Sequence, residues 1–121
     1  MSDNRGNSYA QAGSTITGSG LRQAIYFAKN IAAGSNAVTV TFNQAAAAVD
    51  LRILEYSGLD TTNPLDVTAG TFGTSLNPNS SAATTTSANE LIFGAGITGD
   101  GFASAGAGFT SGANLWRWTM G

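Results

Sequence analysis

Three stretches of this chain alternate with a period of two, and that period belongs to extended strands, not helices. In residues 21–31, Leu21, Ile25, Phe27 and Ile31 fall on one side with Gln23 and Lys29. Arg22, Ala24, Tyr26, Ala28 and Asn30 fall on the other. In residues 37–43, Val38, Val40 and Phe42 alternate with Thr39, Thr41 and Asn43. In residues 50–56, Leu51, Ile53 and Glu55 oppose Arg52, Leu54 and Tyr56. This last stretch is apolar on both faces, which predicts a central strand covered on both sides. It leaves into turn chemistry, with Gly58 free to take positive φ, Asp60 and Asn63 able to bond their own backbone, and Pro64 fixing φ.

Around these stretches the chain reads as many short strands separated by turns. A polar turn at 33–36 predicts a hairpin between 21–31 and 37–43. Residues 9–11 read as a short strand, and 13–20 as a loop of small residues. The alanine run at 44–48 reads as a loop or one helical turn, too short to hold a helix alone. A further helical turn is expected within 61–67, with Pro64 at its first position. Residues 71–76, 80–87, 90–98, 102–109 and 115–119 read as further strands. The 121 residues leave room for one domain, 1–121, with one core. The expectation is a single antiparallel β-sandwich, jelly-roll-like. Its core would be drawn from Ile25, Phe27, Val38, Val40, Phe42, Leu51, Ile53, Leu91 and Phe93.

Composition removes several functions. Histidine and cysteine are both absent. A Ser-His-Asp triad, an imidazole base, a disulfide and a His- or Cys-ligated metal are therefore excluded within this chain. The five cations are scattered and the net charge is −2, so no basic patch marks a nucleic-acid partner. No apolar run is long enough to insert in a membrane. No signal-peptide pattern opens the chain, so a secretion signal is expected to lie outside it. Charged residues make up only 10%, against roughly 25% in an average soluble protein. Strand edges with so few charges are poorly protected from pairing with another copy.

The runs "DNRGNSYAQA", "RQAIYFAKNIAAGSNAVTVTF", "LRILEYSGLDTTNPLDVTAG" and "ATTTSANELIFGAG" together resemble a β-sandwich module of large secreted or surface bacterial proteins. Such modules often stand beside immunoglobulin-like or fibronectin-like domains, and most have no assigned activity. The resemblance covers roughly residues 2–110 and carries no catalytic motif. It implies an extracellular or cell-surface location and a binding or structural role. Modules of this type usually have strands before the D-x-x-G-N turn and more strands after "GAGFT". Against that pattern this chain looks shortened at both ends, which implies open edges and a homo-oligomer.

Glu55 and Glu90 are the candidate catalytic pair. Two carboxylates on a sandwich are the equipment of a glycoside hydrolase, and Glu55, flanked by apolar residues, is expected to be partly desolvated. The alternative is that Glu55 pairs with Arg52, Lys29 or Arg22. Tyr9, Tyr26, Tyr56, Trp116 and Trp118 are candidates for a platform that stacks on a polysaccharide or meets a protein ligand. They would otherwise seal the core. Asp60, Asn63 and Asp66 bring oxygens to one loop, as calcium requires, although turn formation explains all three without metal. Lys29, the only lysine, lies in an apolar strand. It could link to Asn30, Asn43 or Asp50 with Glu55 as the acid, or simply lay its stem along the sheet. The sequence thus favours a non-catalytic extracellular module recognising glycan or protein. The rivals are a small carboxylate-dependent hydrolase and a self-associating subunit.

Overall fold

A computed structural model describes residues 1–112. Among these the protein is all-β, without helix, and its strands pair antiparallel in two sheets. In chain order the strands are β1 (Ser2–Asp3), β2 (Tyr9–Gly18), β3 (Leu21–Ala28) and β4 (Val38–Thr39). β2 pairs with β3, and β1 pairs with β4.

The β2–β3 hairpin is the main element. Its register runs from Gly18 opposite Leu21 to Tyr9 opposite Ala28. Ser19 and Gly20 join the strands, with φ of 48° and 76°. Positive φ at both central residues twists a two-residue turn in the sense that antiparallel strands need. The ladder shifts between Ala12 and Ile16, so residues 13–15 bulge opposite Ala24. Gly13 opens the bulge at φ 69°, and the Gln11 side-chain amide spans it to the Thr15 hydroxyl at 3.0 Å. β3 keeps the expected alternation: Leu21, Gln23, Ile25 and Phe27 are half-buried, while Arg22, Ala24 and Tyr26 are exposed.

Two expectations change here. Residues 13–20 are not a loop; most of them extend β2 to Gly18. Nor does 37–43 fold back on β3. Its first part, β4, pairs with β1 instead. The reason is a dense set of bonds from the N-terminal turn. Asp3 Oδ1 accepts the backbone N–H groups of Arg5 and Asn7 at 3.0 Å each. Its Oδ2 accepts Asn7 Nδ2 at 2.7 Å, Tyr9 Oη at 2.7 Å and Asn36 Nδ2 at 2.8 Å. Asn4 exchanges bonds with Ala37, and Asn7 Oδ1 takes the Ala32 N–H at 2.9 Å. Arg5 Nη2 donates to the Ala33 carbonyl. The 32–37 segment is thus fastened to the N-terminal turn and not to β3.

The remaining alternating segments find no ladder partner among the described residues. Residues 50–56 and 91–97 are not paired into a sheet. Ile53 is 61% exposed, and Phe42, Leu51, Leu91 and Phe93 are exposed as well. Ile25, Phe27, Val38 and Val40 are half-buried, and no described residue is fully buried. The expected core is therefore corrected. Alternation marks a face that can be covered, but burial also needs a second layer, and among the described residues no sheet closes over 50–56. No helical turn forms at 44–48 or 61–67. The chain exposes 10003 Å², against roughly 6,000 Å² for a compact monomer of its mass.

One segment does lie over the hairpin. A Cβ placed on Gly13 would meet Thr68, one on Gly18 would meet the Phe72 ring, and one on Gly70 would meet Ile16. Residues 68–72 thus run along β2 in close approach, and the Phe72 ring occupies the space that a side chain at position 18 would need. Gly18→Ala is expected to displace the Phe72 ring. Nuclear Overhauser contacts between that ring and residue 18 should be lost, and adding Phe72→Ala should remove most of the stability cost of Gly18→Ala.

The Asp3 carboxyl is held ionised by the hydrogen bonds that converge on it. Partial desolvation pushes it up, but the side-chain bonds from Asn36, Tyr9 and Asn7 and the Asn7 backbone outweigh this and hold it well below the usual carboxylate range. Because its folded value is depressed, its stabilising effect is complete above an unfolded value of about 3.9 and fades as pH falls below that. NMR titration should show the Asp3 carboxyl still ionised about one pH unit below the ordinary aspartate value of roughly 3.9. In Asp3→Ala the Asn36 side-chain amide resonances should collapse to solvent-averaged positions.

Candidate functional site

Two open clefts gather Tyr9, Lys29, Asn30, Asn63, Tyr56 and Glu90 from among the candidate residues. The first, of about 680 Å³, lies between the open end of the β2–β3 hairpin and residues 61–65. Tyr9, Phe27, Lys29 and Asn30 contribute from the hairpin side, and Thr62, Asn63 and Pro64 from the facing loop. The loop is shaped by Asp60, whose Oδ1 accepts the backbone N–H groups of Thr62 at 2.7 Å and Asn63 at 3.1 Å. These bonds, aided by nearby Lys29, hold the Asp60 carboxyl below its usual range against slight desolvation. Lys29 Nζ donates to the Thr62 carbonyl and ties the hairpin to the loop. The Tyr9 hydroxyl donates a hydrogen bond to Asp3; that bond, with desolvation and the Asp3 charge, raises its pKa.

The second cleft, of about 550 Å³, is lined by Tyr56, Glu90, Leu91, Ile92 and the 107–110 segment, including Phe109. Tyr56 is 48% and Phe109 50% exposed, so both rings can still be covered by a ligand. Glu90 Oε1 accepts the Ser87 N–H at 3.1 Å. Asp66 takes the Thr86 hydroxyl at 2.6 Å and the Thr86 N–H at 2.7 Å. Those bonds, opposed by slight desolvation and helped by a bond with Glu90, lower the Asp66 pKa. A carboxylate and two rings in one concave surface suit a polyhydroxylated ligand, whose hydroxyls donate and whose C–H faces stack.

The candidates divide accordingly. Tyr56 and Glu90 share the second cleft, whereas Glu55 lines neither cleft. Glu55 is exposed, so the desolvation expected of it is absent. Arg52, one of its expected partners, is engaged by Asp50 through Nε–Oδ1 at 2.7 Å and Nη2–Oδ2 at 3.0 Å. Tyr26 is exposed on β3 and lines neither cleft. Asp60 and Asp66 turn to different partners, and among the described residues no group of three or more acidic side chains stands together to hold a metal. Trp116 and Trp118 lie outside the described residues. Sequence reasoning missed Phe109 as a cleft wall and Thr86 as the partner of Asp66; Tyr9, a candidate ring, lines the first cleft and bonds Asp3. Only the Asp3-to-Tyr9 spacing, which places a short acceptor near a turn and a phenol just after it, offered a signal.

No protein-family model matches the chain, and no curated protein or solved structure is found to be similar to it.

The Lys29 arrangement has a direct check. With Nζ turned to the Thr62 carbonyl and the side chain exposed, Lys29 is expected to stay unlinked. Intact-mass measurement should match the sequence mass; a deficit of one ammonia or one water, mapped to Lys29, would show a cross-link.

Proposed function

We propose that this chain is a non-catalytic binding module of a bacterial extracellular or surface protein, and that it recognises neutral glycan at the Tyr56–Glu90–Phe109 cleft. The observation that carries this reading is the placement of two half-exposed rings and one carboxylate on the same concave surface. A neutral sugar presents an apolar face to the rings and hydroxyl donors to Glu90. A hydrolase needs a second carboxyl across the scissile bond, and Glu55 does not line this cleft. Titration with cello-, xylo- and manno-oligosaccharides, followed by NMR, tests the reading. At least one series is expected to shift the resonances of Tyr56 and Phe109 selectively, and Tyr56→Ala should weaken binding about tenfold, the scale of losing one stacked ring. Shifts scattered over the surface, or affinity indifferent to Tyr56→Ala, would contradict it.

A second reading rests on a different observation. Large apolar side chains from Val49 to Ile97 are exposed, among them Leu51, Ile53, Ile92 and Phe93. Exposed apolar surface on this scale marks association. On this reading the jelly-roll-like sandwich is completed when copies meet and the second layer closes over 50–56. Light scattering across a concentration series should then show mass rising with concentration, whereas a constant monomer mass at high concentration would count against it.

A further inference from the structure

We propose that the cleft between the β2–β3 hairpin and residues 61–65 is a second, separate binding site that takes an acidic saccharide. Its volume of about 680 Å³ falls within the range of roughly 300–1,000 Å³ common to small-ligand sites. Among its walls Lys29 is the only charged side chain. An ammonium has three donors, and Lys29 gives one to the Thr62 carbonyl. Two remain for an anionic group, held in place by the bond that anchors the third. Asp60 stands near enough to feel Lys29, but it is not a wall of the cleft. One of its oxygens is already committed to the loop backbone.

The other walls suit a sugar more than a bare anion. The Asn30 and Asn63 side-chain amides make no hydrogen bond among the described residues, so each brings donors and an acceptor to the cleft. The rings of Tyr9 and Phe27, both half-buried, supply apolar surface at the hairpin end. Asn30 holds φ of 48°, a left-handed conformation that asparagine adopts more readily than most residues. It places a polar side chain directly after the one cation of the site. The second cleft has the opposite character, with Glu90 as its charge. The two clefts are therefore matched to different sugars, the acidic one going to Lys29.

The test titrates the protein with trigalacturonate and with its neutral counterpart galactotriose, at low and at moderate salt. Trigalacturonate is expected to bind at least tenfold more tightly, to shift the Asn30 and Asn63 side-chain amide signals, and to weaken as salt rises. Lys29→Gln should abolish the preference for the acidic trimer and Lys29→Arg should restore it. Tyr56→Ala should leave it intact even while binding of neutral glycan at the other cleft weakens, which separates this site from the other. Equal binding of the two trimers, an unchanged preference in Lys29→Gln, or shifts confined to residues around Tyr56 would overturn the proposal. Should Lys29→Gln lose the hairpin signals, the amide shifts and salt dependence of the unsubstituted protein decide the matter.

Discussion

The backbone ladder between Tyr9–Gly18 and Leu21–Ala28 is the constraint from which the rest of the described structure takes its position. A two-stranded ribbon is marginal by itself in water, and this one is supported at both ends. At the turn end Phe72 lies against Gly18. At the open end Tyr9 is bound to Asp3, and through Asp3 to Asn36. The same end carries Phe27, Lys29 and Asn30, and so the cleft against 61–65 exists only where the ladder stops. Fold and site are therefore linked through residues on two adjacent strand ends.

The Asp3 carboxylate illustrates how a chain with few charges can still organise itself electrostatically. Five hydrogen bonds converge on its two oxygens. Charge-assisted bonds are about twice as strong as neutral ones, and here most come from within a few residues, where little chain entropy is lost in forming them. The bond from Asn36 is the long-range exception. It draws 32–37 toward the N-terminus and so decides which partner β4 receives.

What the sequence made legible follows from what each signal measures. The alternation in 21–28 was readable because both the facing strand and the half-covered face are present. The same alternation in 50–56 was read as a central strand, yet Ile53 lies open. Periodicity reports the sidedness of a segment and says nothing about whether a neighbour arrives. The extension of β2 through 13–18 was hidden because small residues score as loop, while here Gly13 serves a bulge and Gly18 makes room for a ring. In the candidate site, Tyr56 and Glu90 were identified singly from residue type. Their sharing of a cleft with Phe109 depends on residues over fifteen positions apart in the chain, which no local pattern encodes. The Asp60 turn, by contrast, was anticipated, since an Asx residue bonding the backbone just ahead is local chemistry.

Amide hydrogen exchange on dilute protein, resolved by residue, probes the ladder most directly. The slowest exchange is expected in the paired amides of β2 and β3, with the amides of 50–56 and 91–97 exchanging near the rate of an unstructured chain. Protection of Leu51, Ile53 and Phe93 equal to that of Ile25 and Phe27 would contradict this, because it would show that a closed two-layer core, and not the ribbon, holds this protein together.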